Sequence, residues 1–311
     1  MSKRTKSVIG ILVTVIIIIV LMIPAGYILD PKYAQDGIDA IRAFYSVEKN
    51  SLDVIVYGSS RSWKGCDTRV MYEDYGLNAY NYSANWLCIN TVSLFLQDSL
   101  KTQKPQIVCI ETGLVNYIEK DVELDGQVYY TKYMHPSKAK RNFLKQCFGD
   151  NKERYLSYMF PLIMFHDNWS VIGKENFSKS NYKYYIGTRG FCPSTDVRDF
   201  TFADYNGFTE EPIREDCMQT LNEMVNVCRE NDIQILFFTI PCALEYRHSD
   251  AMSEFAAENG CTYLNLYEHI DEMGLDEKTD IMDEEHLNEN GAGKVGAYLS
   301  QYIINHYELT D

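Results

Sequence analysis

The chain has 311 residues, 46% of them hydrophobic, which is enough apolar material for one large domain or two small ones and excludes a wholly disordered protein. It carries 29 lysines and arginines against 44 aspartates and glutamates, so its formal net charge is −15. Because acidic surfaces repel phosphate, this balance argues against nucleic acid as a partner and against a polybasic patch on a membrane surface.

The first element in chain order is an uninterrupted apolar segment. No charged residue occurs between Ser7 and Leu29, and about 20 helical residues suffice to cross a hydrocarbon core of about 30 Å. We expect a transmembrane anchor rather than a cleaved signal peptide, because the run exceeds the usual signal region of about 7–15 residues and no clear A-x-A site follows. Lys3, Arg4 and Lys6 precede it, so the positive-inside rule leaves the N-terminus in the cytoplasm and the rest of the chain outside.

Five short runs rich in β-branched and aromatic residues are predicted to be buried strands, after a helical lead-in over residues 31–50. The runs are DVIVYG (53–58), AYNYS (79–83), QIVCIE (106–111), IQILFFTIP (233–241) and TYLNL (262–266). Helix-length amphipathic stretches separate most of them. This alternation predicts an α/β fold of three αβα layers, with right-handed crossovers, a parallel sheet covered on both faces, and the first strand near its centre.

One connection is much longer than the others. About 100 residues separate Glu111 from a helix predicted near 214–230, whereas loops in α/β units usually have two to six residues. We expect an insertion at about 115–212, either a decoration packed on the sheet edge or a cap over the substrate. The predicted organisation is therefore a cytoplasmic tail and anchor over 1–30, followed by an extracytoplasmic domain over 31–311 that contains the insertion.

The cysteine pattern gives no sign of a disulfide framework. The nine cysteines include no C-x-x-C pair, and an odd number cannot all pair within one chain, although an exported domain leaves room for one or two bridges. Cys109 and Cys242 accompany apolar runs and are interpreted as small buried hydrophobes. No His, Cys or carboxylate cluster has zinc-like spacing and no glycine-rich phosphate loop is present, so the sequence predicts neither a metal nor a nucleotide cofactor.

The first candidate for chemistry is a serine at the end of the first predicted strand. Gly58-Ser59-Ser60 follows VIVY, and open α/β folds bind ligands at the carboxyl edge of the sheet. Taken alone, the tripeptide is more often an ordinary turn in which Ser60 caps the next helix. Glu111, at the end of the third predicted strand, could be a buried or edge carboxylate near the site, but an acid at a strand end is more often solvated, and no catalytic role is predicted for it.

The second candidate is an acid and a histidine ahead of the last predicted helix. In DEEHLNENG, Asp283 lies three residues before His286. A carboxylate at that spacing can turn back to accept the Nδ1 proton and leave Nε2 as a general base. An isolated D-x-x-H in a run of acids is more often a solvated start of a helix. A doubly wound sheet can nevertheless bring this pair to the serine, which predicts a Ser60–His286–Asp283 catalytic triad.

These motifs resemble the SGNH (GDSL-like) hydrolases, in which a GDS-like block follows the first strand and D-x-x-H precedes the final helix. The match lies in GSS at 58–60 and in DEEHLNENGA at 283–292. Within that class the chain is most similar to DltD-like, membrane-anchored proteins of Gram-positive bacteria, with further likeness in YNYS (80–83) and KPQIVCIE (104–111). The resemblance covers residues 53–116 and 214–306. It implies a flavodoxin-like fold in which Ser60 is the nucleophile, His286 the base and Asp283 the orienting acid.

The resemblance also implies an oxyanion hole. The class builds it from the serine N–H, a glycine in the second block and an asparagine in the third. Here Asn85 or Ser83 occupies the second-block region instead of glycine, and Asn116 is the candidate in the third block, where Tyr117 replaces the usual following aspartate. Asn85 and Asn116 are thus the expected oxyanion residues, and an incomplete hole would cost about 2.7–4 kcal/mol of transition-state stabilisation.

Anchor and resemblance together predict serine-dependent acyl transfer or ester hydrolysis on a cell-envelope polymer, of the polysaccharide or teichoic acid type. The N-terminal helix makes the lipid bilayer a partner, and a membrane acyltransferase of the MBOAT kind is implied by the resemblance alone. The alternative is a non-catalytic envelope assembly or carbohydrate-binding protein, since the oxyanion blocks depart from the pattern and the tyrosine-rich insertion could stack against sugars. A secreted lipase fits less well with an anchored chain.

Overall fold

The computed structural model describes residues 2–30, 38–121, 124–177 and 180–309. They form two compact units. The first joins the N-terminal helix to the segment Val128–Asn181, and the second holds the rest of the described chain. Of the predicted helical lead-in, residues 31–37 lie outside the described ranges.

The α-helices of the described residues follow one another from the N-terminus to the C-terminus. They are α1 Lys3–Leu29, α2 Ile38–Phe44, α3 Ser60–Gly65, α4 Thr68–Glu73, α5 Ile89–Ser99, α6 Leu124–Tyr129, α7 Lys138–Phe148, α8 Lys152–Met159, α9 Pro161–Phe165, α10 Ser180–Gly187, α11 Glu215–Glu230, α12 Ser249–Glu258, α13 Ile270–Met273, α14 Glu277–Asp280 and α15 Glu289–His306. Short 3₁₀ helices occur at Tyr130–Tyr133, Asn168–Val171, Lys174–Phe177, Tyr205–Gly207 and Leu266–His269.

A five-stranded parallel sheet forms the centre of the second unit. Its strands are β1 Val54–Tyr57, β2 Ala79–Asn81, β3 Ile107–Glu111, β4 Gln234–Thr239 and β5 Thr262–Asn265, each inside a run predicted to be a strand. The order β2-β1-β3-β4-β5 is the flavodoxin-like doubly wound arrangement. The predicted α/β fold with a parallel sheet is therefore confirmed.

Strand β1 lies near the centre of the sheet, as predicted. It pairs with β2 on one side and β3 on the other, so it is an interior strand next to the middle strand β3. This order places the loops after β1 and β3 next to each other at the carboxyl edge.

The strands are buried on both faces, which explains why their sequences are continuous apolar runs. On one face, Val54, Val56 and Cys109 belong to a core cluster that also contains Val295 and Leu299 of α15. The opposite face is covered by α5, α11 and α12. There Phe237 of β4 meets Phe255 of α12 with ring centroids 5.9 Å apart. Cys109 is fully buried, as expected for a cysteine that serves as a small hydrophobe.

The first unit is built around α1. This helix has 27 residues, and its segment Lys3–Gly26 is long and apolar enough to cross a membrane. Part of the long connection between β3 and α11, the segment Val128–Asn181, belongs to this unit and carries α7, α8 and α9. Helix α9 packs directly against the C-terminal end of α1.

Candidate active site

Ser60 stands at the carboxyl end of β1, where the chain turns into α3. The strand ends at Tyr57 and the helix begins at Ser60 itself. The helix cap is Ser59, whose hydroxyl oxygen accepts a hydrogen bond from the N–H of Arg61 at 3.4 Å. The capping role considered for Ser60 therefore belongs to its neighbour, and the Ser60 side chain is left for other contacts.

Gly58 is required by the close approach of the loop to β3. A Cβ at this position would lie 2.7 Å from the Cβ of Glu111 and 2.7 Å from the Cβ of Ser62. Real Cβ atoms do not come that close to other carbons, so a larger residue would push the turn away from β3. The glycine thus sets where the chain places Ser60 above the edge of the sheet.

Asp283 and His286 lie in a tight loop between α14 and α15. An isolated bridge pairs Ile281 with Leu287, and the N–H of Met282 donates to the carbonyl of His286 at 2.9 Å. Inside the loop, Oδ1 of Asp283 accepts from the N–H of Glu285 at 2.9 Å and from the N–H of His286 at 3.0 Å. The acid therefore folds the loop in which the histidine sits.

The loop brings His286 to Ser60, although the two residues are 226 positions apart in the sequence. His286 Nδ1 lies 2.8 Å from Oδ1 and 3.0 Å from Oδ2 of Asp283, and its Nε2 lies 2.8 Å from Ser60 Oγ. Because an ionised carboxylate only accepts, Nδ1 carries the proton and Nε2 accepts from the serine hydroxyl. His286 thus contacts both of the other residues predicted from the sequence, in the order that a serine nucleophile requires.

The electrostatics of His286 favour its neutral form. Burial lowers the pKa of the imidazole below its ordinary value, and the Lys64 ammonium group adds to the decrease, while the adjacent Asp283 carboxylate opposes it. The His286 side chain keeps 13% of its surface exposed. A neutral, partly accessible imidazole at neutral pH is able to take the proton of Ser60.

Of the two settings considered for Glu111, the structure shows the buried one rather than the solvated one that was favoured. Glu111 is only 3% exposed. One carboxylate oxygen accepts from the N–H of Gly113 at 2.7 Å and the other from the hydroxyl of Ser59 at 3.4 Å. Burial raises the pKa of Glu111, and the nearby guanidinium group of Arg61 opposes the rise. Glu111 therefore links the loop after β3 to the loop that carries Ser60, and the acid at the end of an apolar run was the available sequence signal.

The two predicted oxyanion residues occupy different settings. Asn85 is half-buried in the loop after β2. The Asn116 side chain accepts from the N–H of Arg214 at 2.7 Å and donates to the carbonyl of Pro212 at 3.5 Å, so it holds the chain ahead of α11. The N–H of Ser60, at the first position of α3, has no acceptor within the helix. The role of both asparagines in an oxyanion hole stays a prediction.

Two cavities on the surface of the second unit lie away from Ser60, Asp283 and His286. Their volumes are about 560 and 460 Å³, and neither is lined by any of these three residues. The smaller one is bordered by Gln106 and Gln234, at the edge of the sheet opposite the serine. Over the described ranges, no three His, Cys, Asp or Glu side chains converge in a way that could hold a metal ion.

No model of a known protein family matches the chain, and no curated protein does. Among solved structures, the chain is similar to a crystal structure described as a "putative acylhydrolase" from Bacteroides fragilis NCTC 9343. The TM-score is 0.41 and the sequence identity 10%, over 85% of this chain and 94% of that chain.

Proposed function

We propose that the chain is a membrane-anchored serine acyltransferase or esterase with a Ser60–His286–Asp283 catalytic triad. The single observation that carries the proposal is the continuous hydrogen-bonded line from the Ser60 hydroxyl through His286 to the Asp283 carboxylate. Such a line turns a weak nucleophile into a reactive one.

In the proposed reaction, Ser60 Oγ attacks the carbonyl carbon of an acyl ester while His286 Nε2 takes the hydroxyl proton. Asp283 stabilises the imidazolium that forms, and the N–H of Ser60 donates to the developing oxyanion. The tetrahedral intermediate collapses as His286 returns the proton to the departing alcohol, which leaves an acyl ester on Ser60. Water or a sugar hydroxyl, deprotonated by His286, then accepts the acyl group and restores the free serine.

The proposed setting is the outer side of the membrane. The apolar helix α1 with its three preceding cations favours a single pass with the second unit outside. Resemblance to DltD-like SGNH proteins supports a cell-envelope polymer of the polysaccharide or teichoic acid type as acceptor or substrate. The same resemblance supports a membrane acyltransferase of the MBOAT kind as donor partner.

A fluorophosphonate probe, which reacts with activated serines, tests the proposal directly. The wild-type chain should be labelled, and Ser60→Ala should lose at least about 10³-fold in labelling rate because the reacting oxygen is gone. Ser253→Ala is the matched control, since this serine is exposed on α12, and it should react like the wild type. Equal labelling of Ser60→Ala and wild type would refute the assignment.

Turnover distinguishes enzyme from binding protein. Purified chain should cleave an acetyl or D-alanyl ester, with nitrophenyl acetate as a simpler substrate, and the activity should disappear in His286→Ala. A chain that neither turns over an ester nor reacts with the probe would instead be an envelope assembly or carbohydrate-binding protein.

A further inference from the structure

Helix α1 is bare along most of its length and covered at its C-terminal end. From Val8 to Leu21 its large apolar side chains are 44–62% exposed. Its last turn is covered, with Leu29 only 1% exposed and Gly26 enclosed, whereas Pro24 is still exposed. The covering residues belong to the same compact unit and include α9 and the two 3₁₀ helices that follow it.

Helix α9 packs closely against the end of α1, and hydrogen bonds from polar side chains complete the contact. A Cβ on Gly26 would lie 2.9 Å from the main-chain nitrogen of Leu162, so only glycine allows α9 to approach α1 this far. The side-chain amides of Asn168 and Asn176 donate to carbonyls at the C-terminal end of α1, over distances of 2.6 to 3.3 Å. The last carbonyls of a helix lack partners within it, so these bonds allow the end of α1 to be buried with little water.

The length of α1 indicates how deep in the bilayer its contact with α9 lies. A hydrocarbon core of about 30 Å accommodates about 20 helical residues. Counted from Val8, the first apolar residue after the cations, 20 residues reach Tyr27. The bare part, Val8 to Leu21, spans only about 21 Å at 1.5 Å per residue. The remaining 9 Å or so must be supplied by the covered turns, which puts the residues around Gly26 near the outer limit of the hydrocarbon.

The segment bonded to those turns exposes several large apolar side chains. Residues 160–177, which we call the interfacial segment, contain five exposed large apolar side chains: Phe160 at 37%, Ile163 at 38%, Trp169 at 69%, Val171 at 43% and Phe177 at 67%. Exposed apolar side chains so close together are costly in water. Tryptophan in particular is enriched where a bilayer meets water, because its ring is apolar and its N–H polar.

We infer that the interfacial segment lies in the headgroup region of the bilayer and forms a second membrane contact beside α1. Lipid is the occupant that the geometry favours, because the segment continues the lipid-facing surface of α1 at the depth where headgroups begin. Its charges are few, with Lys174 against Asp167 and Glu175, so the contact depends on apolar burial and needs no anionic lipid. The inference rests on the proposed anchor but not on the acyl chemistry.

Tryptophan fluorescence of the full-length chain in phosphatidylcholine nanodiscs tests this inference. The chain has three tryptophans, of which Trp63 is 1% exposed, Trp86 60% and Trp169 69%. In a Trp86→Phe background, lipids brominated near the glycerol end of the acyl chain should quench fluorescence more than lipids brominated near the methyl end. The difference should vanish in Trp86→Phe/Trp169→Phe, and it should be insensitive to salt.

Two outcomes would overturn the inference. Trp169 left unquenched by either lipid, while aqueous acrylamide quenches it as strongly as in detergent, would mean that the segment faces water. Protection of Trp169 only when another membrane protein co-purifies would mean that a protein covers it. Carbonate extraction distinguishes these outcomes from the absence of a membrane anchor. A chain without a membrane-spanning helix would appear in the soluble fraction, regardless of how Trp169 is quenched.

Discussion

A single carboxylate organises the candidate site at the scale of residues. Oδ1 of Asp283 receives the main-chain N–H groups of Glu285 and His286 and also faces Nδ1 of His286. The loop conformation and the orientation of the imidazole therefore depend on the same side chain. This explains the three-residue spacing between acid and base, because a carboxylate farther from the histidine could not accept from all three nitrogens.

Asp283→Asn should separate these two roles. The amide keeps an oxygen for the loop N–H groups, so the melting temperature should stay within a few degrees of the wild type. It cannot stabilise the imidazolium and allows the wrong tautomer, so kcat should fall by up to about 10⁴-fold, as it does when the acid of a serine protease triad is replaced. Ester turnover and thermal denaturation measure the two effects, and Asp283→Ala should lose both.

The lowered pKa of His286 predicts the acidic limb of the pH profile. Burial disfavours the imidazolium, so a lower pH is needed to protonate the base. The value of kcat/KM should rise through a midpoint below the ordinary histidine pKa of about 6.5 and then level off. Lys64→Met removes a cation that helps to lower this pKa, so it should move the midpoint upward. A wild-type midpoint above that of free histidine would contradict the assignment.

Glu111 is expected to act as a positioning residue, through its bonds to Gly113 and Ser59. Glu111→Ala would release the loop that carries Ser60, and misplacement by about 1 Å can cost up to about 100-fold in rate. The loss should appear in kcat with little change in KM, because the substrate is not touched. Glu111→Gln keeps an acceptor oxygen and should restore most of the rate. Equal losses in both variants would point to a role for the charge itself.

At the scale of elements, the contact of α1 with α9 can be tested with two glycines of the same helix. Gly26→Ala places a Cβ 2.9 Å from the Leu162 nitrogen, whereas Gly10→Ala meets nothing within 4 Å. Both changes improve helix propensity by up to about 1 kcal/mol, so their difference isolates the clash, which we expect to cost about 1–3 kcal/mol. Limited proteolysis of the full-length chain in micelles should cut the segment 160–177 faster in Gly26→Ala alone.

Several features of the whole molecule were predictable from the sequence because they depend on local pattern. Parallel strands buried on both faces need continuous apolar runs, and all five runs contain a strand. The contact between Asp283 and His286 could be predicted for a similar reason, because one short loop contains both residues. The serine was suggested by its position after the first strand.

Other features depend on contacts that no local pattern records. The burial of Glu111 results from its packing against Gly58 and Gly113, two glycines from separate loops. The attachment of residues 160–177 to α1 joins positions more than 130 apart in sequence, as Asn168 and Leu29 illustrate with a separation of 139. Helices of four to eight residues, such as α9, are also too short for a period of 3.6 to be recognised.

The separation of Ser60 and His286 by 226 positions has a consequence for how the protein is made. At about 5–20 residues per second, a ribosome needs about 11–45 s to go from one to the other. Under the proposed mechanism, the nascent chain carries the serine without its base during that time, and we expect it not to react with esters. The first unit shows a shorter delay of the same kind, since α1 must wait for Asn176 before its end is covered. If the proposed triad is catalytic, a chain released early should be inert, because only translation beyond residue 288, where α15 is capped, completes the candidate site.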